Sequence, residues 1–211
     1  MVLRGGLIGS AACGIAFGSL SAQRAGADSK PSTKPGIVNV VIETSVGNID
    51  VAVDSARAPI TAANFFRYVD GGYYDGGLFT RTVRADNQPR DSVKIGVIQA
   101  TISYTRAALQ FPPIPLETTK QTGLKHLDGT ISMARAPKVG AQSDFFICVG
   151  DQPGLDFGGH RNTDGQGFAA FGRVTRGMDI VRAIQAAHAN TQQMLDPPIA
   201  IIRIQRTPSG K

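Results

Sequence analysis

Alternating apolar and polar residues mark two stretches of the chain as strands. In 129–136, Ile131 and Met133 alternate with small residues, and 143–149 carries a second run of apolar side chains. The segment between them, 137–142, is rich in turn-forming residues. Because apolar side chains fall on both faces, the pattern predicts strands buried on both sides, as in a barrel partly covered by helices. Plain core strands are the alternative that this periodicity leaves open.

The same pattern predicts a hairpin, two helices and further strands. The hairpin turns at 45–48, where Gly47 can adopt a positive φ. The first helix begins near Pro59 and ends at Gly71. Strands are predicted around 78–83 and, close to the end, over 199–204. The apolar positions that carry the hairpin and the helices are Val38, Val40, Ile42, Ile49, Val51 and Val53, then Ile60, Ala63, Phe65 or Phe66 and Val69, and finally Met178, Val181 and Ile184.

The composition supports one globular, β-rich domain. The chain has 211 residues, 42% hydrophobic and 18% charged, and its 25 glycines and 12 prolines indicate many turns. The net charge is +6, but the basic residues are scattered and do not alternate with aromatic residues in one cluster. We therefore expect no binding of nucleic acid. We expect the protein to be a monomer.

Residues 1–27 are predicted to be a signal peptide rather than part of the fold. Arg4 provides the positive start, an apolar run follows, and 25–27 offers an A-x-A cleavage site. The predicted location is therefore exported, either periplasmic or secreted. An uncleaved membrane anchor is the alternative, and only then would the protein contact a membrane, although the apolar run is short for a span of about 20 residues. Residues 28–36 are expected to be a flexible tether, and 37–208 the folded domain.

The cysteine and histidine residues predict no metal site and no cofactor. Cys148 is the single cysteine after the leader, so it has no partner for an internal disulfide, and its apolar strand indicates a small buried hydrophobe. His126, His160 and His188 lack metal-ligand spacing, and we predict that they lie on the surface. Glu117 is assigned no chemistry.

Several separated motifs follow one another along the chain. They are Ala58-Pro59 with Asn64-Phe65, Gly72-Tyr73-Tyr74-Asp75-Gly76, Leu78-Phe79-Thr80-Arg81, the block 129–136, Ser143-Asp144-Phe145-Phe146-Ile147, Gly154-Leu155-Asp156, Phe171-Gly172-Arg173-Val174 and Gly177-Met178-Asp179. In order and spacing they resemble the cyclophilin-type peptidyl-prolyl isomerases, over about Val38 to Arg206. The resemblance implies a mainly β fold, a closed eight-stranded antiparallel barrel capped by two α-helices.

The resemblance also implies an enzyme that accelerates rotation about X-Pro bonds and so assists protein folding. Its partners would be proline-containing peptides and unfolded or folding proteins. Arg81 would stabilise the twisted transition state, and Gln99 beside it would hydrogen-bond the substrate backbone. The implied substrate-binding residues are Val97, Phe146, Leu155 and Phe168 in an apolar slot for the proline ring, and Ala134, Arg135 and Ala136 in a shelf for the preceding residues. Core packing is the alternative for Phe146 and Leu155.

Three departures from the family pattern bear on substrate affinity. Residues 84–91 form a polar insertion, and Gly96 or Ile95 stands where the family has a phenylalanine that lines the pocket. Asp144 replaces the usual glutamine, so an acceptor-only anion replaces a neutral amide. It is expected to bind at the edge of the substrate site, where it disfavours acidic substrates or pairs with Arg135. These departures support a second hypothesis, a proline-peptide-binding or chaperone module with little or no isomerase activity.

Overall fold

The computed structural model describes residues 36–136 and 140–207. The predicted signal peptide lies outside these residues, and so does the predicted tether except for Gly36. In chain order the elements are β1 (Ile37–Thr44), β2 (Gly47–Asp54), α1 (Pro59–Asp70), β3 (Leu78–Val83), β4 (Val97–Thr101), α2 (Thr119–Thr122), β5 (Thr130–Ala136), β6 (Gly140–Cys148), β7 (Ala169–Arg176), α3 (Met178–Ala186) and β8 (Met194–Arg206). Short 3₁₀ turns lie at Ala85–Asn87, Tyr104–Leu109 and Pro153–Leu155. Within the described ranges no helix is both long enough and apolar enough to span a membrane.

The strands form a closed barrel. Their order around it is β1-β2-β7-β5-β6-β4-β3-β8, and β8 pairs back onto β1. Every neighbouring pair is antiparallel. Closure removes the free edges that an open sheet would expose. The predicted fold, a closed eight-stranded antiparallel barrel with helices packed on it, is confirmed.

Aromatic side chains fill the barrel interior. Phe65 projects from α1 and packs with its ring centroid 5.1 Å from that of Phe171 and 5.8 Å from that of Phe145. All three rings are fully buried, as is Met133 on β5. Helix α1 packs on β2, β6, β7 and β8, whereas α3 packs on β2, β3 and β4. The two predicted helices therefore pack on the core, α1 through Phe65, Phe66 and Val69 and α3 through Val181 and Ile184. Ile60 and Ala63 were also predicted for the apolar face of α1, but both are exposed.

The element boundaries differ from the predictions where strands run into polar sequence. Strand β6 begins at Gly140, so the connection from β5 is shorter than the predicted turn 137–142. Strand β8 begins at Met194, well before 199, because it pairs there with Arg81 of β3. The hairpin turn is tight, since Thr44 pairs with Gly47, and that glycine has a positive φ of 139° as predicted. Backbone pairing thus extends β6 and β8 to residues that lie outside their alternating apolar pattern.

Candidate functional site

The candidate site lies on the outer face of four neighbouring strands, β5, β6, β4 and β3. On β6, Phe145 and Ile147 belong to the main core, and the alternate residues Asp144 and Phe146 line an outer cavity. The period of two in a strand produces this division. Phe146 is also buried in a small second core, so it both packs in a core, as the alternative interpretation expected, and borders the cavity.

The cavity has a volume of about 490 Å³. All ten predicted site residues line it: Arg81, Val97, Gln99, Ala134, Arg135, Ala136, Asp144, Phe146, Leu155 and Phe168. The structure therefore brings together residues that are widely separated in the sequence. Ile95, Gln110 and Arg161 also line the cavity, although sequence analysis gave no role to the last two.

The apolar part of the cavity is a slot built on a small second core. Val97, Phe146 and Leu155 are buried in this core, and Ala134, Ile95 and Phe168 pack against it from the side. The rings of Phe146 and Phe168 meet edge to face, with centroids 5.4 Å apart. The slot can remove a compact apolar ring from water, at about 0.8 kcal/mol per buried CH₂ group.

Gly96 and Ile95, the two positions considered for the missing pocket phenylalanine, have different surroundings. A Cβ atom on Gly96 would lie 2.7 Å from the carbonyl oxygen of Val149, so no side chain fits there. Ile95 packs against the slot instead. Of these two positions, Ile95 is the one that gives the slot an aliphatic side chain.

The polar part of the cavity is organised around the guanidinium of Arg81. Its Nη1 donates to Oε1 of Gln99 at 3.3 Å, and its Nε donates to Oε1 of Gln193 at 3.1 Å. Its Nη2 also donates to Gln193. Burial lowers the pKa of Arg81, the positive charge of Arg161 adds to this shift, and Asp91 opposes it. The group nevertheless remains a cation, because an arginine pKa lies far above neutral pH.

Gln99 connects Arg81 to Asp144. Its Oε1 accepts from Arg81, and its Nε2 donates to Oδ2 of Asp144 at 3.4 Å. Because a carboxylate only accepts hydrogen bonds, Asp144 fixes which end of the Gln99 amide faces the arginine. Asp144 also accepts from the hydroxyl of Ser143 at 3.2 Å.

Arg135 does not pair with Asp144, one of the two outcomes expected for that carboxylate. It forms a bidentate ion pair with Asp164, with N···O distances of 2.8 and 2.9 Å, and its Nε donates to the carbonyl oxygen of Gly167. Hydrogen bonds from Arg135 lower the pKa of Asp164 to about 2. Asp164, in the loop before β7, therefore neutralises the charge of Arg135. Asp144 lines the cavity without an ion pair to Arg135.

The insertion at 84–91 lies behind the cavity wall, where Gln88 hydrogen-bonds to two of the residues that line the cavity, Ile95 and Arg161. Gln88 is buried, and its side chain bonds to both backbone groups of Ile95. Arg161 donates to Oε1 of Gln88 at 2.9 Å and to the carbonyl oxygen of Val93 at 2.7 Å. Arg161 also pairs with Asp91 at 3.1 Å. Sequence analysis missed these contacts because they join two loops that have no periodic pattern.

The prediction that His126 lies on the surface was wrong, because the side chain is 1% exposed. Its Nδ1 bonds to Oδ1 of Asp156 at 2.8 Å and its Nε2 to Oγ of Ser132 at 3.0 Å. Its ring stacks beneath Phe146, with centroids 6.0 Å apart. Burial lowers the pKa of His126, against the opposing effect of the Asp156 carboxylate. The histidine thus supports the slot from behind.

Cys148 is fully buried, as the sequence predicted. Burial raises the pKa of its thiol far above the ordinary value, and the nearby carboxylates of Asp156, Asp128 and Asp151 add to the shift. A neutral buried thiol is a poor nucleophile, so Cys148 contributes to packing of the slot. The exposure of His160 and His188 agrees with the prediction.

Together, the fold and the site define a class: an antiparallel barrel whose outer groove joins an apolar slot to a fixed guanidinium. A family model described as cyclophilin-type peptidyl-prolyl cis-trans isomerase/CLD matches residues 39–206. The chain is 35% identical, over 168 residues, to peptidyl-prolyl cis-trans isomerase A of Dickeya dadantii, covering 77% of this chain and 81% of the relative. It is 30% identical to peptidyl-prolyl cis-trans isomerase B of Escherichia coli, covering 69% and 83%.

Solved structures show the same fold. A cyclophilin-type isomerase of Cryptosporidium parvum matches with a TM-score of 0.61 at 18% identity, covering 82% of this chain and 99% of that chain. The structure of that protein in the presence of the dipeptide Ala-Pro matches with a TM-score of 0.60 at 20% identity, covering 80% and 98%. The chain belongs to the cyclophilin-type peptidyl-prolyl cis-trans isomerases, and it is an enzyme of the isomerase class.

Proposed function

We propose that this protein binds the proline of an X-Pro segment in the apolar slot and uses Arg81 to stabilise the twisted transition state of the peptide bond. The observation that carries the proposal is that Arg81 and Phe146 line one cavity, with Gln99 hydrogen-bonded to the arginine. The structure of the Cryptosporidium parvum protein, determined in the presence of the dipeptide Ala-Pro, supports a proline-containing ligand for this groove. Folding or unfolded chains with accessible X-Pro bonds are the proposed substrates.

The chemistry requires no nucleophile and no proton transfer. Rotation about a peptide bond has a barrier of about 18–20 kcal/mol, and an uncatalysed X-Pro bond takes tens to hundreds of seconds to isomerise. In the planar bond the lone pair of the prolyl nitrogen is delocalised, whereas in the twisted bond it can accept a hydrogen bond. A donor that meets this nitrogen only in the twisted form binds the transition state more tightly than the substrate, and so lowers the barrier.

The residues of the groove have the properties that this step needs. The Arg81 guanidinium offers several donors in a fixed plane and is held by amide oxygens on two sides. The slot formed by Val97, Phe146 and Leu155 excludes water beside it, which strengthens electrostatic interactions at the groove. In this proposal Gln99 hydrogen-bonds the substrate backbone, and Ala134 begins the shelf for the residues before the proline; both residues line the cavity.

The second hypothesis, a proline-binding module with little catalysis, is supported by the wall of the slot. The side chain of Ile95 gives a bound proline less apolar contact area than a phenylalanine would. The insertion is hydrogen-bonded to Arg161, and these bonds restrict movement of the surrounding loops. Both features alter ground-state binding. Neither removes the guanidinium, which is why we favour the enzyme that uses Arg81 at the transition state.

The test compares wild type with Arg81→Ala, Arg81→Lys and Phe146→Ala. We expect Arg81→Ala to lower kcat/KM on an X-Pro peptide by about 10²- to 10³-fold while peptide affinity changes little. Arg81→Lys should recover little, because lysine lacks the planar set of donors. Phe146→Ala should mainly weaken binding, by about tenfold, through loss of apolar contact. A protease-coupled isomerisation assay and a binding titration give the two quantities.

Arg173→Ala, which removes an exposed arginine on β7, is the matched control and should behave as wild type. If wild type isomerises the peptide and Arg81→Ala equals it, the assignment of Arg81 is wrong. If wild type binds the peptide without accelerating its isomerisation, the binding-module hypothesis replaces the enzyme.

We also propose that the enzyme acts after export, as a periplasmic or secreted protein. The support is the leader pattern, a basic start and an apolar run followed by Ala25-Gly26-Ala27. N-terminal sequencing of the exported protein should give a chain that begins near Asp28. Recovery in the membrane fraction of a chain that still begins with Met1 would instead indicate an anchor.

A further inference from the structure

Gln193 contacts the face of Arg81 that points away from the cavity. Its Oε1 accepts hydrogen bonds from both Nε and Nη2 of Arg81. Its own Nε2 donates to the carbonyl oxygen of Asn87 at 2.8 Å. The amide therefore has a fixed orientation, with its oxygen directed at the guanidinium. Gln193 is not among the residues that line the cavity, whereas Arg81, which it contacts, is.

The backbone of Gln193 is held as firmly as its side chain. Its N–H donates to the carbonyl oxygen of Asn190 at 2.9 Å, and its carbonyl oxygen accepts from the N–H of Thr82, the residue after Arg81, at 3.0 Å. Its φ is +69°, and among the described residues it is the only non-glycine residue with a positive φ. Glycine would adopt this conformation with less strain. The glutamine therefore holds a strained backbone conformation, and its side chain contacts Arg81.

We propose that Gln193 is a positioning residue for the isomerase reaction, which fixes the Arg81 guanidinium so that its remaining donors face the bound X-Pro bond. The inference rests on the proposed function and adds a residue outside the groove to it. A guanidinium has five N–H donors. Gln193 engages Nε and Nη2 and Gln99 engages Nη1, so the free donors of the two terminal nitrogens lie on the edge directed away from Gln193.

A purely structural role for Gln193 predicts a different result from a positioning role. The variant Gln193→Gly distinguishes the two roles. Gln193→Gly removes the side chain but suits the left-handed backbone, so relief of strain offsets part of what the lost hydrogen bonds cost. If Gln193 only shaped its loop, the glycine variant would keep full activity. If Gln193 positions Arg81, the same variant loses activity although the protein stays folded.

The experiment measures kcat/KM, peptide affinity and thermal midpoint for wild type, Gln193→Gly, Gln193→Glu and Gln192→Gly. For Gln193→Gly we expect kcat/KM to fall by about 10- to 100-fold, with affinity and thermal midpoint nearly unchanged. Gln193→Glu keeps an oxygen acceptor for Arg81 and should recover part of the activity. Gln192→Gly makes the same change at the exposed neighbouring position and should behave as wild type.

A second measurement reports on the arginine directly. Nitrogen-15 relaxation of the Arg81 Nε–H should show a rigid group in wild type and increased motion on the picosecond-to-nanosecond timescale in Gln193→Gly. The inference is overturned if wild type is active and Gln193→Gly retains its kcat/KM, or if the Nε–H is equally rigid in both proteins. If wild type itself does not accelerate isomerisation, the proposed function fails, and the relaxation data still decide whether Gln193 fixes Arg81.

Discussion

Among the described residues that line the groove, Asp144 is the only carboxylate. Arg135 is paired with Asp164 and Arg161 with Asp91, so neither arginine is taken up by Asp144. Its bonding partners are the neutral side chains of Gln99 and Ser143. A substrate side chain near Asp144 therefore meets a carboxylate that neither Arg135 nor Arg161 neutralises. Sequence analysis left pairing with Arg135 open, and the structure removes that option.

We expect a preference for basic over acidic residues beside the proline. Two charges about 4 Å apart interact by about 1 kcal/mol in water. We therefore expect kcat/KM to be a few-fold higher for a lysine peptide than for a glutamate peptide. Asp144→Gln should lower this ratio of kcat/KM values, because it removes the charge and keeps an amide of the family type. Added salt should also lower the ratio for wild type.

The peptides should differ only at the residue next to proline, and the assay is repeated at low and high salt. Asp179→Asn, at an exposed position on α3, is the matched control and should leave the ratio unchanged. Equal ratios for wild type and Asp144→Gln would contradict a role for this carboxylate in choosing substrates.

Helix α1 illustrates how an element depends on a distant residue. Its N-cap residue, Ala58, has no side chain able to accept a hydrogen bond, and the first turn of the helix contains no acidic residue. Glu117, from the segment before α2, supplies both missing features. Its carboxylate accepts from the N–H groups of Ile60 and Thr61 at 3.1 and 2.7 Å, and from the Thr61 hydroxyl at 2.7 Å. The negative charge also suits the positive end of the helix dipole.

Loss of this cap should destabilise the protein without affecting the groove. For Glu117→Ala we expect the free energy of unfolding to fall by about 1–2 kcal/mol, the usual cost of removing a helix cap. Glu117→Gln keeps an acceptor and should lose less. Urea denaturation followed by circular dichroism measures both, and kcat/KM should match wild type. An unchanged midpoint for Glu117→Ala would show that the contact contributes nothing to stability.

Local pattern predicted the elements of the fold, whereas contacts between loops were beyond its reach. Alternation along β5 and β6 follows from burial on two faces, and helical spacing in α1 and α3 follows from one apolar stripe. Glu117 and Gln193 contact residues far away in sequence, through polar segments that have no period. The sequence around Glu117 and Gln193 contains no pattern that would predict their partners. The ten groove residues were predicted because the family motifs supplied long-range information that periodicity lacks.

At the scale of the whole molecule, His126 connects the groove to the barrel from a position behind the slot. His126 hydrogen-bonds to Ser132 on β5 and to Asp156 in the loop before β7, and it stacks beneath Phe146 on β6. Lone histidines without metal spacing are usually exposed, which is why sequence analysis placed this one on the surface. Its burial follows from barrel closure, because closure brings these three segments around one position.

Buried neutral His126 should make global stability depend on pH. Because burial lowers its pKa in the folded state, the unfolded chain binds this proton more readily than the folded protein does. The associated stability is fully present above the ordinary pKa of about 6.5, and it is lost as the pH falls towards the pKa of the folded state. Asp164 contributes no comparable change in this window, since its pKa of about 2 keeps it ionised.

Urea unfolding from about pH 7.5 to about pH 5 tests this expectation. Wild type should lose stability over this range. His126→Asn should be less stable at neutral pH, because it leaves space beneath Phe146, but its stability should change less with pH. His160→Gln, which replaces an exposed histidine, should keep the wild-type slope. If His126→Asn and wild type lose stability in parallel as the pH falls, His126 is not the group that titrates, and acid sensitivity must arise elsewhere in the barrel.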